Sequence, residues 1–248
     1  MNNSDLKVKK KPNNKTFSWR EQIFNIIKEP SYIASLLGHE QPFIFRFLES
    51  YLPNFIEMFK KIRYLLYKGK SKYCPCCGGY FRKFLPTGAK YRSSAQCPRC
   101  RSLERHRLIL LYLKYKTNFF TKSLKVLYVA PKEILQTIFK KMSNLDFVSI
   151  DLDSPLAMIK MDITNLQFED NFFNVILCSH VLEHIKEDLV AMKELFRVLK
   201  PNGWAIIQAP IDYNRKKTFE DPNVILPKDR RCLFGEENHF RIYGQDYN

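Results

Sequence analysis

Phe173–Pro210 reads FNVILCSHVLEHIKEDLVAMKELFRVLKPNGWAIIQAP, and its pattern decides the fold. Val175-Ile176-Leu177-Cys178 is a short apolar run of the kind a parallel sheet buries on both faces. Leu182, Ile185, Leu189, Met192, Phe196 and Leu199 follow at helical spacing, with Glu183, Lys186, Glu187, Lys193 and Glu194 mainly on the other side. That spacing predicts one long amphipathic helix. Pro201 cannot continue it, and Asn202-Gly203 suit the left-handed turn that ends a helix. Ala205-Ile206-Ile207 resumes the sheet. The whole is half of a doubly wound α/β domain.

Working outward, Lys125–Ala130 is read as strand one, Glu133–Met142 as the first helix, Phe147–Asp151 as strand two and Ala157–Met161 as a short strand three. The segment His180-Val181-Leu182-Glu183-His184-Ile185, with Glu194-Leu195-Phe196-Arg197-Val198-Leu199-Lys200-Pro201 at its distance, resembles class I S-adenosylmethionine-dependent methyltransferases of type 11. The resemblance implies a Rossmann-like sheet, methyl transfer and S-adenosylmethionine as donor. It spans roughly residues 70–245 and is densest at 97–107 and 173–203.

The chain has 248 residues and a hydrophobic fraction of 45%, which supports a packed core rather than disorder. No apolar run approaches the roughly 18 residues of a membrane span, and the lysine-rich start lacks a signal-peptide core, so a cytoplasmic protein is expected. The net charge of +16 is lopsided. Residues 1–125 hold 26 Lys and Arg against 7 Asp and Glu, while residues 126–248 hold 15 against 18. A basic front half makes RNA a candidate partner, and an anionic membrane surface or a merely solvated face are the other readings.

The expected organisation is a disordered basic tail at 1–16, a helical arm at 17–69, a zinc-ribbon module at 70–101, a connecting helix within 102–124 and the methyltransferase-like α/β domain at 125–248. In the arm, Ile44, Phe45, Leu48, Tyr51 and Leu52 form an apolar stripe best read as packing. Leu103–Tyr115 reads as a helix with Ser102 as N-cap.

Seven cysteines without a secretory signal favour metal ligation over disulfides. Cys74-Pro75-Cys76-Cys77 and Cys97-Pro98-Arg99-Cys100 are two C-x-x-C knuckles separated by 19 residues. Cys74, Cys77, Cys97 and Cys100 are the candidate ligands of one structural zinc, closed by four thiolates and not catalytic. An iron centre or a redox pair are the weaker readings. Cys76 leaves the register open. Cys178 is read as core, and Cys232 has no assigned role. The run Cys97–Arg107 resembles a bacterial group of these methyltransferases that carries an N-terminal zinc ribbon. Arg101, Arg105 and Arg107 in it either contact an anionic substrate or lie on an exposed helix start.

In a doubly wound sheet the ligand sits at the carboxyl ends of the strands, where strand order reverses. Asp151 ends strand two, where a carboxylate can accept both ribose hydroxyls, with Asp153 as competitor and a structural turn acid as the bland reading. The remaining assignments rest on the resemblance. Ala130, Pro131 and Glu133 stand where the family has a glycine-rich loop, and no glycine lies between residues 89 and 202, which puts close backbone approach in doubt. The zinc-ribbon group is similar in placing Ala-Pro-acid there. Asp162 matches the family's acid beside the adenine amino group, with Ile163 packing on the ring. His180 is a candidate to stack on the cofactor, orient substrate or act as base, or else is a capping residue. His184 is one helical turn further on.

Thr218–Tyr243 is a candidate lid or acceptor wall. Its Glu220, His239, Arg241 and Tyr243 resemble a polar cluster of the zinc-ribbon group, with His239 as candidate base and Arg241 as anion clamp. Family members continue past this segment into a last strand pair, whereas this chain stops at Asn248. A short natural domain, a homodimer across the open edge, and a truncated descendant all stay open. The acceptor is unidentified, a glycan or other small molecule or RNA. The rival class is a zinc-containing nucleic-acid-binding or scaffold protein with a decayed cofactor site.

Overall fold

The computed structural model describes residues 58, 61–87 and 92–247. The expected tail at 1–16, the stripe from Ile44 to Leu52 and nearly all of the helical arm lie outside the described residues.

Two antiparallel ladders come first: β1 (Lys68–Cys74) with β2 (Gly79–Phe81), and β3 (Leu85–Thr87) with β4 (Arg92–Gln96). Helix α1 (Glu104–Lys116) leads to β5 (Leu124–Val129), α2 (Glu133–Phe139), β6 (Leu145–Asp151) and β7 (Ile159–Lys160). Then come β8 (Phe173–Ser179), a single turn of 3-10 helix at Leu182–His184, α3 (Asp188–Val198) and β9 (Leu199–Gln208). Beyond β9, β10 (Phe219–Glu220) pairs antiparallel with β11 (Arg241–Ile242), and α4 (Pro227–Phe234) lies between them.

The five strands of the central sheet run β7-β6-β5-β8-β9, all parallel. The chain builds one way from β5 through β6 to β7, then returns to the other side of β5 for β8 and β9. The order therefore reverses between β5 and β8, and a crevice forms at their carboxyl tips.

Alternation splits the core into two layers. Val126, Tyr128, Val175 and Leu177 face α1, α2 and the cysteine ladders, packing with Ile109, Leu110, Leu113, Leu135, Phe139, Phe81 and Phe84. Leu127, Val129, Ile176 and Cys178 face Leu182, Ala191, Leu195 and Val198 on the other side. The cysteine module and one face of the sheet thus share a single apolar cluster, with buried Cys74 and Cys97 in it. Cys178 is a core thiol whose pKa burial raises.

Three local expectations give way. The helix after β8 starts at Asp188, not near Leu182. The 3-10 turn and the extended Ile185 reset the helical phase, so the stripe counted from Leu182 turns outward: Leu189 is 72% and Phe196 80% exposed, while Ala191, Leu195 and Val198 are buried. Asn202-Gly203 forms no left-handed turn but lies inside β9. Gly203 is needed for closeness, since a Cβ there would meet Leu199 Cδ1 at 2.7 Å and the Asn174 carbonyl oxygen at 2.9 Å. The N-cap of α1 is Leu103, and Ser102 is drawn inward to the thiols instead.

Candidate functional site

The two knuckles bring Cys74, Cys77, Cys97 and Cys100 together, with their sulfurs all within 4.8 Å of one another. Cys74 and Cys100 Sγ are 3.6 Å apart, and Cys77 and Cys97 Sγ 3.7 Å. A tetrahedron of sulfurs about 2.3 Å from a zinc ion has edges of about 3.8 Å, so the donor set and its spacing fit that ion. Each knuckle closes on a left-handed residue just after its second cysteine, Gly78 at φ 66° and Arg101 at φ 58°. The amide of Gly78 donates to the Cys74 carbonyl and that of Arg101 to the Cys97 carbonyl. Ser102 Oγ lies 3.2 Å from both Cys74 and Cys100 Sγ. Cys76 is buried and lies outside this group of four.

The run after the second knuckle divides by role. Arg107 is buried, donates to the Ser102 and Ala95 carbonyls and covers the Phe84 ring, so it latches the cysteine module to α1. Arg105 lies in electrostatic reach of Glu183, and His106 of Lys132 and His180. Burial, with Arg92 next, pushes the Arg105 pKa down, while Glu183 and Tyr128 act in the opposite direction. His106 Nδ1 accepts the Leu103 amide, so Nε2 carries the hydrogen, and that atom is buried with no partner among the described residues.

Burial, then the charge of Arg105, lowers the His106 pKa to about 4, with Lys132 and His180 also in electrostatic reach. The unfolded chain, near the ordinary 6.5, takes up a proton first as pH falls. Stability from this group is therefore complete above pH 6.5 and is lost as pH falls towards 4. Between pH 7 and 5 the loss should be about 2 kcal/mol. Urea midpoints of His106→Gln should lack that part of the slope; equal slopes for both proteins would refute a buried neutral imidazole.

At the tip of β5, Ala130 adopts φ 49°, the left-handed conformation glycine favours, and its amide donates to the Ile150 carbonyl. The missing glycine is thus replaced by a strained alanine, at a cost of about 1 kcal/mol. Pro131 follows, buried, and Glu133 is exposed in the first turn of α2. At the tip of β8, His180 has φ 56° and its amide donates to the Gln208 carbonyl. Two strained residues therefore flank the switch point, as is common where a backbone is held for function.

Asp151 accepts the Asp153 and Ser154 amides, both on Oδ1, leaving Oδ2 for another donor. Asp162 Oδ1 accepts the amide and hydroxyl of Thr164. Each acid thus serves its own turn with one oxygen. Ile163 is buried in the core layer, which leaves little of it for a ring to pack on.

The loop after β8 is held by residues far along the chain. His180 Nδ1 lies 3.3 Å from Glu183 Oε1, so its partner is the glutamate, not His184. Glu183 is only 2% exposed, a burial the sequence did not announce. His184 packs edge-on to His239 at 4.7 Å between ring centroids. The candidate wall at 218–243 therefore does reach this loop. Arg241 corrects its expected role. Its guanidinium is 5% exposed and donates to Glu220 Oε2 and the carbonyls of Leu182, Ile185 and Lys186, with Asp188 at 3.3 Å. Buried and turned onto these groups, the guanidinium presents no open face to clamp an anion, so Arg241 is a strut under the loop. Tyr243 donates to Asp188 Oδ2. Beside this strut lies a groove of about 770 Å³ lined by Lys186, Glu187, Asp188, Asp221, Ile225 and Phe240.

Comparison with known proteins places a family match on this part of the chain. Residues 124–207 match the methyltransferase domain family. The matched span runs from the first residue of β5 to within β9, so the methyltransferase domain includes both strands that flank the crevice. An uncharacterized protein of Methanocaldococcus jannaschii is 38% identical over 72 residues, covering 25% of this chain and 32% of that one. Demethylmenaquinone methyltransferase of Staphylococcus haemolyticus is 39% identical over 51 residues, covering 21% of each. The chain thus spans about a third and a fifth of these relatives. A SAM dependent methyltransferase of Archaeoglobus fulgidus aligns with TM-score 0.40 at 12% identity, covering 60% of this chain and 66% of that one. One from Aquifex aeolicus aligns with TM-score 0.36 at 16% identity, covering 52% and 76%. No helix of the described residues is long and apolar enough to cross a membrane.

Proposed function

We propose that this chain transfers a methyl group from S-adenosylmethionine to an acceptor at the β5/β8 crevice, and that its four-thiolate cluster holds a structural zinc. The observation that carries the reading is the match of residues 124–207 to the methyltransferase domain, on strands whose order reverses at that crevice.

The sulfonium supplies an activated methyl group, so the protein has mainly to align donor and acceptor and to exclude water. Oδ2 of Asp151 takes the ribose hydroxyls, and Asp162 takes the adenine amino group with its remaining oxygen. The left-handed turn at Ala130 supports this reading, since the first loop turns there without a glycine. His180, held by Glu183, is the group placed to orient the acceptor or take its proton. The groove beside the strut sets Glu187, Asp188, Glu220 and Asp221 against Lys186, Arg230 and Arg241, a mixed lining that selects no charge class, so a glycan or other small molecule and RNA both stay as acceptor classes.

Calorimetry with S-adenosylmethionine and S-adenosylhomocysteine tests this. Wild type should bind both, and Asp151→Ala should weaken binding at least about 10-fold through the lost ribose bonds. A folded, zinc-loaded wild type that binds neither would end the methyl-transfer reading. RNA binding that falls steeply with salt and ignores Asp151→Ala would favour the scaffold alternative.

A further inference from the structure

We propose that Glu183, His184 and His239 form a second metal site, distinct from the four thiolates, that takes a divalent transition ion of the zinc type at the lip of the crevice. One donor atom from each residue lies within 4.8 Å of the other two. Three further observations point at a cation.

The first is the carboxylate. Glu183 is 2% exposed, and while Oε1 faces His180, Oε2 is buried with no hydrogen-bond partner among the described residues. An unpartnered buried carboxylate oxygen is costly, and such groups commonly mark an ion or ligand.

The second is the tautomer of both rings. His184 Nδ1 lies 3.3 Å from the Asn238 carbonyl and His239 Nδ1 3.2 Å from the Phe234 carbonyl. A carbonyl can only accept, so each Nδ1 carries the hydrogen and each Nε2 presents a lone pair. A ring anchored through one nitrogen to a carbonyl is the usual way a ligating histidine is held. The third is ring placement. Two imidazoles on one tetrahedral ion, with Zn–N about 2.0 Å, have centroids about 5 Å apart, and these are 4.7 Å apart and steeply tilted. Glu236 Oε2 is 3.8 Å from His239 Nε2, too far to hydrogen-bond with it.

The scaffold is rigid where the site needs it. Arg241 ties the carbonyls of Leu182, Ile185 and Lys186, and the Phe240 amide donates to the Glu183 carbonyl, which fixes the two chain segments against each other. The charge of Arg241 is met by Glu220 and Asp188, and Arg105 is in electrostatic reach of Glu183 without a hydrogen bond to its Oε2. Two imidazoles and one carboxylate suit zinc, iron or manganese rather than calcium or magnesium. Three protein ligands leave a coordination position open to water or to an oxygen of the acceptor.

The test uses the full chain, without S-adenosylmethionine, so that it stands or falls apart from methyl transfer. Zinc is titrated by calorimetry into protein whose thiolate site is already filled, and cobalt is used in parallel. Thiolate-bound cobalt gives intense charge-transfer bands that a His and Glu site lacks. Wild type should take a second equivalent that adds no such band. Glu183→Gln and, at the partly buried positions, His184→Gln and His239→Gln should weaken it about 100-fold or more while circular dichroism shows each folded and the thiolate bands persist. No second equivalent on wild type, or histidine variants binding as wild type does, overturns the proposal.

Discussion

Cys97→Ser should release the thiolate-bound zinc and destabilise far more than its own module. Cys97 is wholly buried and belongs to the apolar cluster that also contains Ile109, Leu113, Val126 and Leu177. The two ladders around it are two-stranded, β1 with β2 and β3 with β4, and such hairpins are at best marginal alone. On the proposed zinc reading, metal binding would supply much of their folding free energy, typically about 10–16 kcal/mol for a structural zinc at neutral pH. Loss of the module also uncovers α1, whose Ile109, Leu110 and Leu113 would meet water. We expect the remaining α/β domain to lose about 3–5 kcal/mol, roughly the burial of two large aliphatic side chains. Elemental analysis and denaturant unfolding check both parts. Unchanged zinc content, or a stability within about 1 kcal/mol of wild type, would refute the account.

Arg241→Met should cost nearly as much, without touching a metal or a cofactor directly. The guanidinium satisfies three carbonyls of the loop after β8 and two carboxylates. Breaking a buried charge network by removing one partner usually costs about 3–5 kcal/mol. Asp188 keeps its bond from Tyr243, but Leu182, Ile185 and Lys186 lose their donors. Arg231, 66% exposed and paired with Glu237 at 2.8 Å, is the matched control, and Arg231→Met should stay within about 0.5 kcal/mol of wild type. Urea unfolding of the two variants makes the comparison. Because the same loop carries His180 and Glu183, the Arg241 variant should also bind S-adenosylmethionine more weakly. A strut that can be removed without loss would mean the loop is held by something else.

Much of this architecture was legible in order along the chain. The apolar runs at 126–129 and 175–178 are buried on both faces, as continuous hydrophobic strands of a parallel sheet should be. The two C-x-x-C pairs also read directly, because each knuckle is a local turn. Cys76 could not be placed that way, since only the turn at Gly78 determines which sulfurs converge. The helix after β8 was misread for a related reason. Counting from Leu182 assumes one unbroken helix, and a turn of 3-10 geometry shifts the phase without altering composition. Glu183 illustrates the limit at the site: a glutamate in a helical pattern reads as solvent-facing, yet here the segment ending at Arg241 folds over it and removes the water.

The sequence by itself determined the buried strands of the sheet and the pairing of cysteines into two local knuckles, because hydrophobic periodicity and C-x-x-C spacing act over a few residues. Tertiary structure alone decided which face of α3 is buried, that Ala130 takes a left-handed turn, that Arg241 is used up internally, and that His184 meets His239. Those outcomes depend on contacts between residues more than fifty positions apart, or on backbone strain that surrounding packing imposes, and neither leaves a local pattern to read.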